Sequence, residues 1–105
     1  QVFVNILENA ARYNDKEKPT CNVRSEKIDD SVVISFSDNG IGVSEKHLSK
    51  IFDSFYQVDM GSGRKVGGTG LGLSICRGIM AAHGGKIWAE QNPKGGTVFK
   101  ISLSL

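Results

Sequence analysis

Gly67, Gly68, Gly70 and Gly72 fall within six positions, with Thr69 among them, and lead into an apolar helical pattern at Leu71, Ser74, Ile75, Ile79 and Met80. Such a loop lets backbone N–H groups approach an anion with no Cβ in the way. A helix that starts there aims the positive end of its dipole at the same point. That is phosphate-binding chemistry, and by itself it names no particular phosphate.

Two further groups of residues carry chemistry. On a helix, Asn5, Asn9 and Arg12 fall within about 60° of one another, with Tyr13 just beyond. Asn amide oxygens suit a hard cation such as Mg²⁺, which keeps most of its waters, and Arg suits phosphate oxygens. The plainer reading of this stripe is solvated surface. Asp38, Asn39, Gly40, Ile41 and Gly42 follow a strand pattern. Asp, Asn and Gly are turn residues, so a simple turn is the plain reading. The chemical reading is a carboxylate at the end of a rigid strand, accepting from an amino group such as that of adenine. Gly40 and Gly42 would let a base lie close to the backbone, and Ile41 would give an apolar wall.

The elements that must hold these residues read as follows. Residues 1–14 form a helix, with Phe3, Ile6, Leu7, Ala10 and Ala11 on its core side. It starts with no cap before it, which is expected of a first helix incomplete at its start. Strands are expected over 20–26 and 32–37 around a turn at 27–31, the second alternating Val33, Ser35, Ser37 against Val32, Ile34, Phe36. Ser44 would cap a short helix reaching Phe52. Residues 55–69 read as a mobile loop. A second long helix spans 70–83 and stops at Gly84 and Gly85. Strands at 86–91 and 97–103 close a hairpin around 92–96. Two consecutive strands at the end argue for an α+β sheet with helices on one face, not a doubly wound fold.

The chain has 105 residues and a net charge of +2, which suits one domain and points away from nucleic acid. No apolar run nears the ~18 residues that span a membrane, so no direct membrane contact is expected. Cys21 and Cys76 share no metal spacing and read as free thiols in a reducing cytosol. Phe3, Phe36, Trp88 and Phe99 read as core.

Together these residues resemble a family. The run from Asn5 through Asn9 and Arg12 to Tyr13 looks like the N box of sensor histidine kinases. Asp38–Gly42 looks like their G1 box, Phe52–Phe55 their F box, and Gly68–Gly72 their G2 box. His83–Trp88 and Gly95–Phe99 resemble the closing hairpin. The boxes come in the family's order and cover nearly the whole chain. The resemblance implies the Bergerat-type fold: a two-layer α/β sandwich with a mixed, mostly antiparallel sheet. It is shared with type II topoisomerase, Hsp90-like and MutL-like ATPases.

The resemblance also implies roles. Asn9 would be the Mg²⁺ ligand, with Asn5 beside it near the phosphates of ATP. Arg12 would contact phosphate, and Tyr13 would pack near the adenine or ribose. Asp38 would accept from the adenine amine, steadied by Thr97. Gly70, Leu71 and Gly72 would present N–H groups to the triphosphate. Gly68 and Thr69 would form the flexible side of that loop, and 53–69 the lid, with Phe55, Phe52 and Tyr56 at its root. Gln57 stands where the family often has Arg, so Arg64 or Lys65 would supply the lid's charge. The lid resembles those of hybrid kinases.

Hydrolytic relatives carry a Glu at the position of Asn5, and an amide is no general base. The family's reaction sends the γ-phosphoryl of ATP to a histidine on a separate dimerisation domain, and thence to a response regulator receiver domain. His47 and His83 lack the surroundings of a phosphoacceptor, and His83 is better read as a helix C-terminal cap. The expectation is an ATP-binding catalytic domain of a sensor histidine kinase, cytoplasmic, in a parent of a kind often anchored in the cell membrane, unable to phosphorylate itself alone. The alternatives are a stand-alone ATPase of the same superfamily and a non-catalytic nucleotide-binding regulatory module.

Overall fold

A computed structural model describes residues 1–12, 14–54 and 72–104. Its elements are α1 (Val2–Arg12), β1 (Cys21–Ile28), β2 (Ser31–Asp38), a short 3₁₀ turn (Glu45–His47), α2 (Gly72–Ala82), β3 (Lys86–Gln91) and β4 (Thr97–Ser104). The strands form one sheet in the order β1-β2-β4-β3. Every pairing described is antiparallel, in keeping with the mostly antiparallel sheet expected.

Alternation sets the two faces of the sheet. Ile34, Phe36 and Asp38 of β2 share a face with Phe99 and Ile101 of β4, since Phe36 pairs with Phe99 and Ile34 with Ile101. Ile87 and Ala89 of β3 join this row opposite Ile101 and Phe99. The helices cover it: Phe36, Phe99 and Ile101 lie in one buried cluster with Val2 and Ile6 of α1 and Cys76 and Met80 of α2. Phe52 joins the cluster, its ring edge-on to Phe99 at a centroid distance of 6.3 Å. The opposite face carries Ser35, Ser37 and Lys100, with an ion pair from Lys100 to Glu90 at 3.2 Å.

Three expectations need correction. The apolar side of α1 is only partly covered: Ile6 and Ala10 are buried, but Phe3 is 46% and Leu7 43% exposed. The helix packs against α2 and β2, and that turns Asn5 inward. Phe3 meets the core in an edge contact with Phe36 at a centroid distance of 5.1 Å. The helix expected from Ser44 to Phe52 is a single 3₁₀ turn followed by further turns. Ser44 makes no side-chain cap bond, and the later contacts Lys50 N to His47 O and Asp53 N to Lys50 O are three-residue bonds. The β1–β2 turn is shorter than expected, two residues, with Asp29 at φ 54°; Asp tolerates this left-handed conformation.

The end of α2 fits the glycine reading. Gly84 has φ 71°, Gly85 N bonds Met80 O at 2.7 Å and Gly84 N bonds Ala81 O at 3.0 Å. That pair of bonds is a Schellman ending. His83 Nδ1 lies 2.8 Å from Ile79 O, a carbonyl that also accepts from His83 N at 3.2 Å, so the ring adds a second bond at the helix end.

Candidate functional site

Asp38 is the last residue of β2, on the row of Ile34 and Phe36. Strand alternation therefore carries its carboxylate to the helix side. It is buried, and its Oδ1 accepts from Gly40 N and from Thr97 N, each at 3.0 Å. Among the described residues the bonds to this carboxylate are both made by Oδ1. Burial pushes the carboxyl above its ordinary pKa, and the two N–H bonds pull it partly back.

Support for Asp38 comes from the β3–β4 turn. Asn92 Nδ2 donates to Asp38 O at 3.2 Å. Gly96 has φ 93°, and a Cβ there would run into the Asp38 carbonyl oxygen and sit 2.7 Å from its Oδ1. Only glycine fits this approach. Gly42 has φ 79° and lies against Gly96 O, 3.2 Å from where its Cβ would be. A cleft of about 710 Å³ opens between Ile41–Ser44 and the turn residues Gln91–Pro93 and Gly95–Gly96. Neither Asp38 nor Asn9 lines it.

Asn39 faces the other way. Its Oδ1 accepts from Asn14 Nδ2 at 2.7 Å and Thr20 N at 2.9 Å, and its Nδ2 donates to Lys18 O at 3.0 Å.

The polar stripe of α1 divides. Asn5 is buried at 8% exposure, and its Nδ2 donates to Gly72 O at 3.3 Å. This bond ties the stripe to the first residue of α2. Asn9 is half-buried and gives its Nδ2 to Asn5 O at 2.9 Å, so its Oδ1 is the atom available to a cation. Arg12 is exposed at the end of the helix. Among the described residues no group of three His, Cys, Asp or Glu could hold a metal. Neutral oxygens such as that of Asn9 fit Mg²⁺ only where a phosphate chain and water complete its shell.

Of the residues singled out in the sequence, the structure brings Asp38, Gly40, Gly42 and Thr97 together, and joins Asn5 to Gly72. Ile41 is half-buried beside them. Thr97 meets Asp38 through its backbone N–H. Tyr13, Phe55, Arg64, Lys65, Gly68, Thr69, Gly70 and Leu71, with most of the 53–69 lid, lie outside the described residues. Asn92 and Gly96 were missed as site residues. Their signal was the Asn-Pro-Lys-Gly-Gly run, which sequence reasoning spent on the hairpin alone.

Comparison with known proteins gives three findings. Residues 1–105 match the family model described as histidine kinase-, DNA gyrase B-, and HSP90-like ATPase. The sensor protein kinase WalK of Staphylococcus haemolyticus (strain JCSC1435) is 43% identical over 104 residues, 98% of this chain and 17% of that protein. The chain thus spans about a sixth of this relative's length. Solved structures align along nearly the whole chain. The mycobacterial sensor histidine kinase MprB has a TM-score of 0.86 and 28% identity, covering 98% of this chain and 69% of that one. Full-length ShkA in complex with AMPPNP has a TM-score of 0.80 and 28% identity, covering 97% and 20%. The histidine kinase ThkA in complex with the response regulator TrrA has a TM-score of 0.75 and 32% identity, covering 99% and 27%.

Proposed function

The chain belongs to the histidine kinase-, DNA gyrase B-, and HSP90-like ATPase family, in its sensor histidine kinase branch, and we propose that it binds Mg-ATP with the base at Asp38 and the phosphates between α1 and the start of α2. The observation that carries this reading is the Asp38 carboxylate. One oxygen is fixed by two backbone N–H groups, and strand alternation puts the carboxylate on the helix side of the sheet. An adenine amine is a donor of the right kind for it. A structural relative, ShkA, is solved with the ATP analogue AMPPNP.

Asn9 Oδ1 and the nucleotide's phosphates would hold Mg²⁺, which supplies charge neutralisation to the phosphate chain. Arg12 would add a second positive charge. Gly70, Leu71 and Gly72 would offer N–H groups at the start of α2, and Arg64 or Lys65 would close over the γ-phosphate. Phe55, Gly68, Thr69 and Tyr13 would border the nucleotide. The protein's contribution is positioning and electrostatics. Asn5 spends its amide on Gly72 O and carries no carboxylate, so water is not activated there. The γ-phosphoryl goes instead to a histidine of a dimerisation domain, and a response regulator receives it afterwards. A histidine kinase with its response regulator stands among the solved relatives. No helix among the described residues is long and apolar enough to cross a membrane; we place the domain in the cytoplasm, where ATP is.

Two measurements test the reading. Calorimetry should show Mg-ADP binding that Asp38→Ala abolishes; equal affinity in the variant would overturn the base assignment. Labelled ATP mixed with this chain and a phosphoacceptor domain should give acid-labile phosphohistidine on that domain. Binding without transfer would remove the kinase role.

A further inference from the structure

We infer that Asn39 is a positioning residue that sets the span between the base end and the phosphate end of the nucleotide site. The inference rests on the assignment of Asp38 to the base and α1 to the phosphates. Arg12 ends α1 and Cys21 begins β1, with no regular element among the described residues between them. Asn39, one residue from Asp38, bolts that connection at three points. Its side chain bonds Asn14 Nδ2, Thr20 N and Lys18 O, at 2.7, 2.9 and 3.0 Å. Its own N–H adds a bond to Thr20 O at 3.3 Å. Asn14 Oδ1 in turn accepts from Lys16 N at 2.8 Å, so the bolt reaches within two residues of Arg12.

None of these bonds uses the groups that hold the Asp38 carboxylate and carbonyl, which are the N–H groups of Gly40 and Thr97 and the amide of Asn92. The two functions are therefore separable. Loss of the bolt frees the end of α1 and leaves the base acceptor in place. A ligand that spans both ends depends on the bolt. A ligand that uses only the base end does not.

The experiment measures affinities of this chain for Mg-ATP by calorimetry and for adenosine by NMR titration. Asn39→Ala is expected to weaken Mg-ATP about tenfold, the scale of losing one or two hydrogen bonds, while adenosine stays within about twofold. Asn14→Ala, which removes one arm, is expected to weaken Mg-ATP about threefold. The double variant should bind no worse than Asn39→Ala, because both act through one bolt. Equal weakening of Mg-ATP and adenosine would overturn the inference, since Asn39 would then shape the base pocket itself. So would Mg-ATP affinity unchanged in Asn14→Ala, which decides the matter even where Asn39→Ala fails to fold. Failure of the underlying assignment looks different: adenosine would then bind the parent chain and Asp38→Ala alike.

Discussion

Asp38→Asn should make the protein more stable and blind to adenine. The side chain keeps its shape, so the change is one of charge and of hydrogen-bond sense. Gly40 N and Thr97 N both donate to Oδ1, and only the oxygen of an Asn amide can accept from them. The amide is therefore held with its NH₂ where Oδ2 was. An adenine amine would then meet a donor instead of an acceptor.

The binding loss follows from that reversal. A hydrogen bond to a charged acceptor is worth about 1.5–3 kcal/mol, and an unsatisfied buried donor costs about 1–3. Taking about 2–4 kcal/mol in all gives an ADP affinity some 30- to 1,000-fold weaker. The same NH₂ suits the carbonyl of hypoxanthine, so the preference between ADP and inosine diphosphate should invert. The stability gain has the opposite sign. Burial raises the Asp38 carboxyl pKa in the folded state. Stability is then fully present below the unfolded pKa and falls as pH rises through the raised folded value. Asn cannot ionise, so the variant escapes this fall. Thermal unfolding without ligand, followed from pH 4 to 8, should show a higher midpoint for Asp38→Asn at the upper end and a flatter profile. Calorimetry of ADP and inosine diphosphate at pH 8 completes the test. ADP affinity within about threefold of the parent, or a lower midpoint at pH 8, would refute the reasoning.

Other expectations follow from the same structure. Gly96→Ala places a Cβ against the Asp38 backbone at φ 93°; strain of about 1–3 kcal/mol plus the overlap should lower the denaturation midpoint and weaken ADP together. Gly84→Ala, at φ 71° with open space around it, should cost only about 1–2 kcal/mol in chemical denaturation and leave ADP affinity unchanged. Ile6→Ala empties a fully buried position in α1 and should cost about 2–5 kcal/mol by urea titration. Arg12→Ala should weaken Mg-ATP but not adenosine, and the difference should shrink as salt is raised.

Much of the fold was legible because period and punctuation agree. The alternation of Val32–Ser37 put Ile34 and Phe36 on one face, and Asp38 follows them by parity alone. Gly84 and Gly85 marked the end of α2 through a backbone requirement that few residues meet. The missed features are those that depend on distant neighbours. Asn92 and Gly96 reach Asp38 because β4 pairs with β2, across nearly sixty residues of chain, and nothing local in either segment encodes that sheet order. The rotation of α1 was missed for the same reason. Its apolar arc is wider than the surface that covers it, and α2, not the helix's own pattern, decides that Asn5 goes in and Leu7 stays out. Ser44 was read by residue type, but a cap is geometry, and its side chain does not make the bond.

The proposed base and phosphate ends differ in how they are built. Asp38 is held by strand pairing and by a glycine turn, elements that lose the most if they move. Asn9 and Arg12 stand on a helix held by the burial of Val2, Ile6 and Ala10, by the Asn5 bond to Gly72, and near its far end by the Asn39 network. A base acceptor fixed in a sheet can discriminate between bases, because a displaced donor finds nothing else to bond. A phosphate end built on separate helices leaves that choice to the sheet. In the proposed transfer to a histidine on another domain, the sheet keeps the adenine seated while the helices present the phosphates.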